Sequence, residues 1–221
     1  MTFVDDLTRQ PPSFSAAVRE ATWQDHESNE RSAFMQALLD GDLPIDGYGR
    51  LAAQQWFVYA VLEDAAAVMC TDPVAAPFVT DALTRRPSIE ADLQVLVGDD
   101  WSHRIEALPA TTAYCDRIRA VCFERSGPFV AHHYTRYMGD LSGGQHIARV
   151  VRRAYGLDPQ RGAAFFHFAG IDDARAFKDS YRARLDAAPW TPGERDAVID
   201  EVRTAYRLNR ELIADLDASI A

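Results

Sequence analysis

TPGERDAVIDEVRTAYRLNRELIADLDASIA, residues Thr191–Ala221, is the stretch on which the fold turns. Val198, Val202, Ala205, Leu212, Leu216 and Ile220 recur at steps of three, four or seven. That spacing lays them along one face of an α-helix and fits no strand, where alternation has period two. Thr191-Pro192 ahead of it supplies an N-cap and a proline in the first turn, where its missing N–H is not needed. Asn209 falls on the same apolar face. A buried amide must find hydrogen bonds, so Asn209 either ties two packed helices together or meets another polar group inside.

Working outward, helical periodicity continues almost everywhere. A second long helix is expected from Tyr48 to Cys70, with Leu51, Gln55, Val58, Leu62 and Met69 on one face, Trp56 and Tyr59 beside them, and Asp72-Pro73 ending it. Shorter helices are expected over Ser13 to Asn29, Glu30 to Asp40, Pro73 to Thr84, Thr111 to Arg125 and Asp172 to Ala187. One more begins at Gly127-Pro128 and runs to Tyr155, with Gly156 as its stop. No linker, low-complexity tract or internal repeat divides these segments. The expectation is one all-α domain over residues 1–221 with roughly eight helices.

Composition narrows the function classes. Of the 221 residues, 48% are hydrophobic and 25% charged, enough apolar material for a sizeable core. The formal net charge of −10 repels phosphate backbones and argues against nucleic acid as a partner. Lys178 is the only lysine among 23 basic residues. Cys70, Cys115 and Cys122 form no C-x-x-C and lie in apolar helical patterns, which suits buried inert thiols better than a disulfide framework or a zinc site. The opening Met-Thr-Phe-Val-Asp-Asp lacks the regions of a signal peptide, and no apolar run reaches the ~18 residues of a membrane span. A cytoplasmic protein free of membrane is expected. No P-loop, G-x-G-x-x-G, H-E-x-x-H, G-x-S-x-G or Glu-x-x-His pair occurs. For an all-α enzyme, these absences favour cofactor chemistry in a helical pocket.

The informative stretch is YTRYMGDLSGGQ, Tyr134–Gln145. It lies inside a helix, where glycine costs roughly 1 kcal/mol against alanine. Gly139 and Gly143 are four apart and leave one face bare for more than a turn, while Gly144 loosens the same turn. A bare face admits either a crossing helix or a flat ligand against the backbone. Asp140 sits beside that face, and Arg136, four residues earlier, is placed to pair with it. A held carboxylate beside an open backbone slot suits proton handling.

This run resembles the distal-helix motif of the heme oxygenases. REATWQDHESNERSAFM (Arg19–Met35) is similar to the family's proximal helix, and WFVYAVLE, FKDSYRARLD and AYRLNREL extend the likeness in the family's order. The resemblance implies an all-α, single-domain fold with heme sandwiched between a proximal helix and a kinked distal one. It implies that heme is both cofactor and substrate, opened with O2 to biliverdin, carbon monoxide and ferrous iron. It places His26 as the iron ligand, with Glu30 a candidate partner for its other ring nitrogen. His132 and His133 receive no ligand role. Lys178 and Arg182 match propionate-contacting positions, and Arg19 a third, where relatives often carry lysine. Tyr134 is implied at a propionate, and Gly139, Ser142, Gly143, Gly144 and Tyr206 along the heme. Tyr59, Arg136, Asp140 and Asn209 match residues around a distal water network. An external electron donor, a ferredoxin or flavoprotein reductase, and a monomeric state complete the expectation. Two rivals stand beside it: a heme carrier or sensor that leaves its ligand intact, and a thiamin-degrading hydrolase, which would need a reactive cysteine.

Overall fold

The computed structural model describes residues 12–25, 32–158 and 160–220. Its α-helices are α1 (Phe14–Ala21), α2 (Ala33–Asp40), α3 (Ile45–Met69), α4 (Arg86–Leu96), α5 (Pro109–Val121), α6 (Ser126–His133), α7 (Gly139–Tyr155), α8 (Ala174–Ala187) and α9 (Pro192–Ile220). Residues 23–25 are also helical. Among the described residues there is no β-ladder, only isolated bridges from Asp158 to Arg161 and Gly162. The all-α reading holds.

Local chemistry sets the ends. Ser13 and Ser32 cap α1 and α2, and Gly41, at φ 82°, closes α2. Thr191 and Glu194 exchange bonds at the head of α9: the Thr191 amide donates to Glu194 Oε2 at 2.7 Å and the Glu194 amide to Thr191 Oγ1 at 3.4 Å. Gly156, at φ 67°, stops α7 where expected.

The two longest helices, α3 and α9, form the frame. α9 packs on α5, α6 and α2, and α3 on α4, α5 and α6. Val198, Val202, Ala205, Leu212 and Leu216 are buried on α9, joined by Leu208, while Ile220 at the helix end is exposed. On α3, Tyr59 is fully buried with Val58 and Leu62.

Several expectations need correction. The helix expected over Pro73 to Thr84 is two 3₁₀ turns, Ala76–Phe78 and Asp81–Leu83. Asp72 Oδ1 captures the Val74 and Ala75 amides, each at 2.8 Å, and Pro77 lacks a donor, so the side chain outcompetes α-winding. α4 falls where no helix was expected. Its buried residues are Ile89, Asp92 and Leu93, so a carboxylate breaks the apolar stripe. The helix expected from Ser13 to Asn29 is interrupted at Thr22, whose hydroxyl donates to the Val18 carbonyl at 2.8 Å. Cys70 is exposed at the end of α3, unlike Cys115 and Cys122.

Between α7 and α8 the chain makes one 3₁₀ turn, Ala164–Phe166, whose backbone and flanks are bonded by side chains. Asp92 Oδ1 accepts from the Gly162 and Ala164 amides at 2.7 and 2.8 Å, and Oδ2 from Phe165 at 2.8 Å. Arg85 Nη1 donates to the Phe165 and His167 carbonyls at 3.1 and 2.7 Å. Gln145 Nε2 donates to the Phe166 carbonyl at 3.1 Å, and Tyr48 Oη to that of Gly162 at 2.9 Å.

Candidate active site

The site forms where the distal helix departs from α geometry. Residues Tyr134–Met138 are wound as a π-helix between α6 and α7. Such a segment closes i→i+5 bonds, is rare, and clusters at functional sites. The irregularity thus precedes Gly139 instead of arising at Gly144. In the wider winding, residues four apart no longer stack, and the Arg136–Asp140 ion pair suggested by their spacing is replaced by other bonds. Arg136 Nη1 donates to Asn209 Oδ1 at 2.6 Å, and Tyr59 Oη donates to Asp140 Oδ2. The Arg136 guanidinium also lies 5.0 Å from the centre of the Tyr59 ring.

Tyr59, Arg136, Asp140 and Asn209 therefore come together from α3, the π-segment, α7 and α9, and Asn209 has the interior partner its position demanded. Burial pushes the Asp140 carboxyl above its usual value, although Arg136, the Tyr59 bond and Arg85 all pull it down. The Tyr59 phenol is raised as well, by burial and then by the Asp140 charge.

A Cβ built on Gly139 or Gly143 would meet nothing within 4 Å, so this face is not a helix crossing. At Gly144 it would meet Phe166 Cδ1 at 3.1 Å, so Gly144 is a packing glycine. The open face borders a cavity of about 320 Å³ lined by Leu51, Gly139, Asp140, Gly143, Tyr206 and Asn209, among others. Ser142 Oγ donates to the Met138 carbonyl at 2.7 Å and accepts from Lys178 Nζ at 3.1 Å.

A cationic edge lies beside it. Arg19 on α1 and Arg182 on α8 line one groove with Trp23. Burial raises the Tyr134 phenol, with the Arg182 and Arg19 charges both pulling it back. Arg182 Nη1 is also 2.7 Å from Asp179 Oδ1. His26 and Glu30 lie outside the described residues.

Two buried histidines and two buried cysteines lie outside this cluster. His132 Nε2 is 2.9 Å from Glu201 Oε1, and Arg117 grips the same carboxylate with two bonds at 2.9 and 2.5 Å. His133 Nδ1 is 2.9 Å from Tyr181 Oη, and burial pushes its imidazole down to about 3, so it is neutral. Burial pushes the Cys115 thiol up to about 11 and Cys122 further still, the opposite of an activated nucleophile. Sequence reasoning missed Glu63, Arg85 and Asp92. Glu63 Oε1 accepts from the Arg85 and Arg86 amides at 2.5 and 3.2 Å, and Arg85 is close enough to act on both Tyr59 and Asp140. Nothing in the sequence distinguishes these charges from the surface ones.

Residues 12–215 match the family model described as heme oxygenase. The chain belongs to the heme oxygenase family. Heme oxygenase 1 of Synechocystis is 32% identical over 208 residues, 94% of this chain and 86% of that protein. Heme oxygenase 1 of Rattus norvegicus is 36% identical over 214 residues, 96% of this chain and 74% of the rat protein. Among solved structures, heme oxygenase-1 of Synechocystis in complex with heme superposes with a TM-score of 0.89 at 32% identity, covering 94% of each chain. Heme oxygenase-2 of the same cyanobacterium, in complex with heme and NO, gives 0.90 at 29% identity, covering 95% of this chain and 87% of that one. No helix among the described residues is long and apolar enough to cross a membrane.

Proposed function

We propose that this chain is a heme-degrading oxygenase that takes heme, O2 and reducing equivalents to biliverdin, carbon monoxide and ferrous iron. One observation carries the reading: the side-chain-free face at Gly139 and Gly143 adjoins a carboxyl, Asp140, that is half-buried and oriented by Tyr59. The residues suit heme. A planar ring needs backbone without Cβ atoms, and a Cβ at either glycine would project into open space where such a ring would lie.

His26 would hold the iron, with Glu30 bonding its other nitrogen. Lys178, Arg182 and Arg19 would hold the propionates, with Tyr134 adding a hydroxyl; Ser142, Gly144 and Tyr206 would complete the wall. Heme, when bound, supplies both the redox-active iron and the carbon skeleton that is oxidised. The protein's part is to orient and to move protons. Asp140 holds a proton beside the open face and returns it through ordered water. Tyr59 fixes which carboxyl oxygen is tied and which faces the cavity. Arg136, anchored by Asn209, balances the charge left when the proton departs. Electrons come from an external ferredoxin or flavoprotein reductase. The protein works as a cytoplasmic monomer.

An absorbance time course of the heme-loaded protein with reductant in air tests the proposal. The Soret band should decay as a bilin band grows. A Soret band that persists through reduction and reoxidation would identify a heme carrier instead.

A further inference from the structure

Asp92 lies remote from the reacting face and touches no residue of the distal cluster through its side chain, yet it is 1% exposed and fully engaged. Its two oxygens collect the Gly162, Ala164 and Phe165 amides, while Arg85 takes the Phe165 and His167 carbonyls from the other side. A single 3₁₀ turn, Ala164–Phe166, and the residues flanking it are thereby fixed by side chains from α3, α4 and α7. Its two aromatic side chains are placed by those bonds. Phe165 stands edge-on to Tyr59, ring centres 5.4 Å apart, and is 3% exposed. Phe166 presses on Gly144 and lines the distal cavity.

We propose that Asp92, with Arg85, is a positioning residue of the distal site: it clamps the Phe165–Phe166 turn so that Phe165 seals the Tyr59 side of the Tyr59–Asp140 bond from bulk water. The clamp works through backbone amides and then through one aromatic edge. It explains why a carboxylate occupies the apolar side of α4, where Ile89 and Leu93 would pack better with an aliphatic neighbour. Loosening it should admit water behind Tyr59, to the Asp140 oxygen that Tyr59 bonds. The charged and titratable groups acting on Asp140 are Tyr59, Arg136, Arg85 and Tyr137, and of these Tyr59 packs its ring directly against Phe165.

The inference rests on Asp140 as the proton-handling group, so the test is read on heme-free protein. The Asp140 titration is followed by carbon-detected NMR on protein with ¹³C-labelled aspartate carboxyls, in wild type, Asp92→Asn, Phe165→Leu and Ile118→Val. An amide at position 92 can accept from Gly162 and Ala164 but turns a donor toward the Phe165 amide. Asp92→Asn should lower the Asp140 midpoint by about one pH unit, as burial is relieved, and speed amide exchange at residues 162, 164 and 165. Phe165→Leu leaves the backbone clamp intact; it should lower the midpoint without accelerating exchange at residues 162 and 164. Ile118→Val, a core change elsewhere, should lower the melting temperature and leave the midpoint in place. An unmoved midpoint in Phe165→Leu, or in a folded Asp92→Asn, overturns the proposal and leaves Asp92 a stabilising residue only. Failure of the wild type to open heme would instead remove the role given to Asp140 and leave the titration result standing.

Discussion

Two carboxylates of this protein lie inside the helical framework and have opposite fates. Glu201 on α9 is 6% exposed and receives two bonds from Arg117 and one from His132. Burial pushes it up, but those partners outweigh burial and hold it down at about 2. Asp140 has one direct hydrogen-bond donor, Tyr59, with Arg136 turned away to Asn209. Burial wins there, and the carboxyl sits above its usual value. A fully satisfied buried charge is a structural tie, whereas an undersupplied one beside a cavity is free to exchange its proton. The π-segment separates the two: it follows His132 and carries Arg136 out of line with Asp140.

The largest expected effect breaks the functional half of that contrast. Asp140→Ala should cut biliverdin formation by at least ~100-fold, in the range of general acid–base catalysis, and divert the heme complex to peroxidase-like reactivity. Heme affinity, read by titration of the Soret band, should stay within about threefold because Asp140 makes no propionate contact. Unchanged biliverdin yield would remove its role.

Glu201→Gln should do the reverse. Denaturant unfolding at neutral pH should show a loss of about 3 kcal/mol, the scale of breaking a buried ion pair, with turnover of the folded enzyme unchanged. Because the folded value of Glu201 is depressed, its contribution is present above the unfolded value of roughly 4.3 and is lost as pH falls toward 2. The difference from wild type should therefore shrink in acid. Asp140 carries the opposite sign. Its raised folded value means that the protonated form stabilises the fold at low pH and that this is lost as pH rises. Asp140→Asn should thus gain melting temperature relative to wild type as pH rises above the unfolded carboxyl value of roughly 4.

Tyr59→Phe sharpens the same contrast at a smaller scale. Removing the one hydroxyl that lowers Asp140 should raise its titration further and cut turnover about tenfold, with the alkaline shift visible in the pH profile.

Much of this was legible. The apolar stripe of α9 announced both its helix and the interior partner of Asn209, because a 3.6-residue period and a buried amide each have few solutions. The glycines beside Asp140 were legible because glycine inside a helix carries a cost that needs a reason. The π-winding was not, since it comes from how the segment packs between α3 and α9, and without it the spacing of Arg136 and Asp140 pointed to a pair that does not form. α4 stayed hidden because Asp92 interrupts its stripe. Asp92, Glu63 and Arg85 read as surface charges, and only tertiary folding reveals the amides and carbonyls they serve.

The smallest expected effect separates the glycines. Gly139→Ala and Gly143→Ala should each stabilise the heme-free protein by up to about 1 kcal/mol, the helix-propensity gain, while weakening heme binding. Gly144→Ala should gain nothing, because its Cβ would meet Phe166 at 3.1 Å. Thermal melts with and without heme distinguish the three.

Carbon monoxide release tests the central assignment most directly. Heme-loaded wild-type protein, reduced in air with headspace gas sampled, should release carbon monoxide in a molar amount equal to the heme consumed, alongside biliverdin in solution. Heme recovered intact with no carbon monoxide in the headspace would contradict ring opening by this protein.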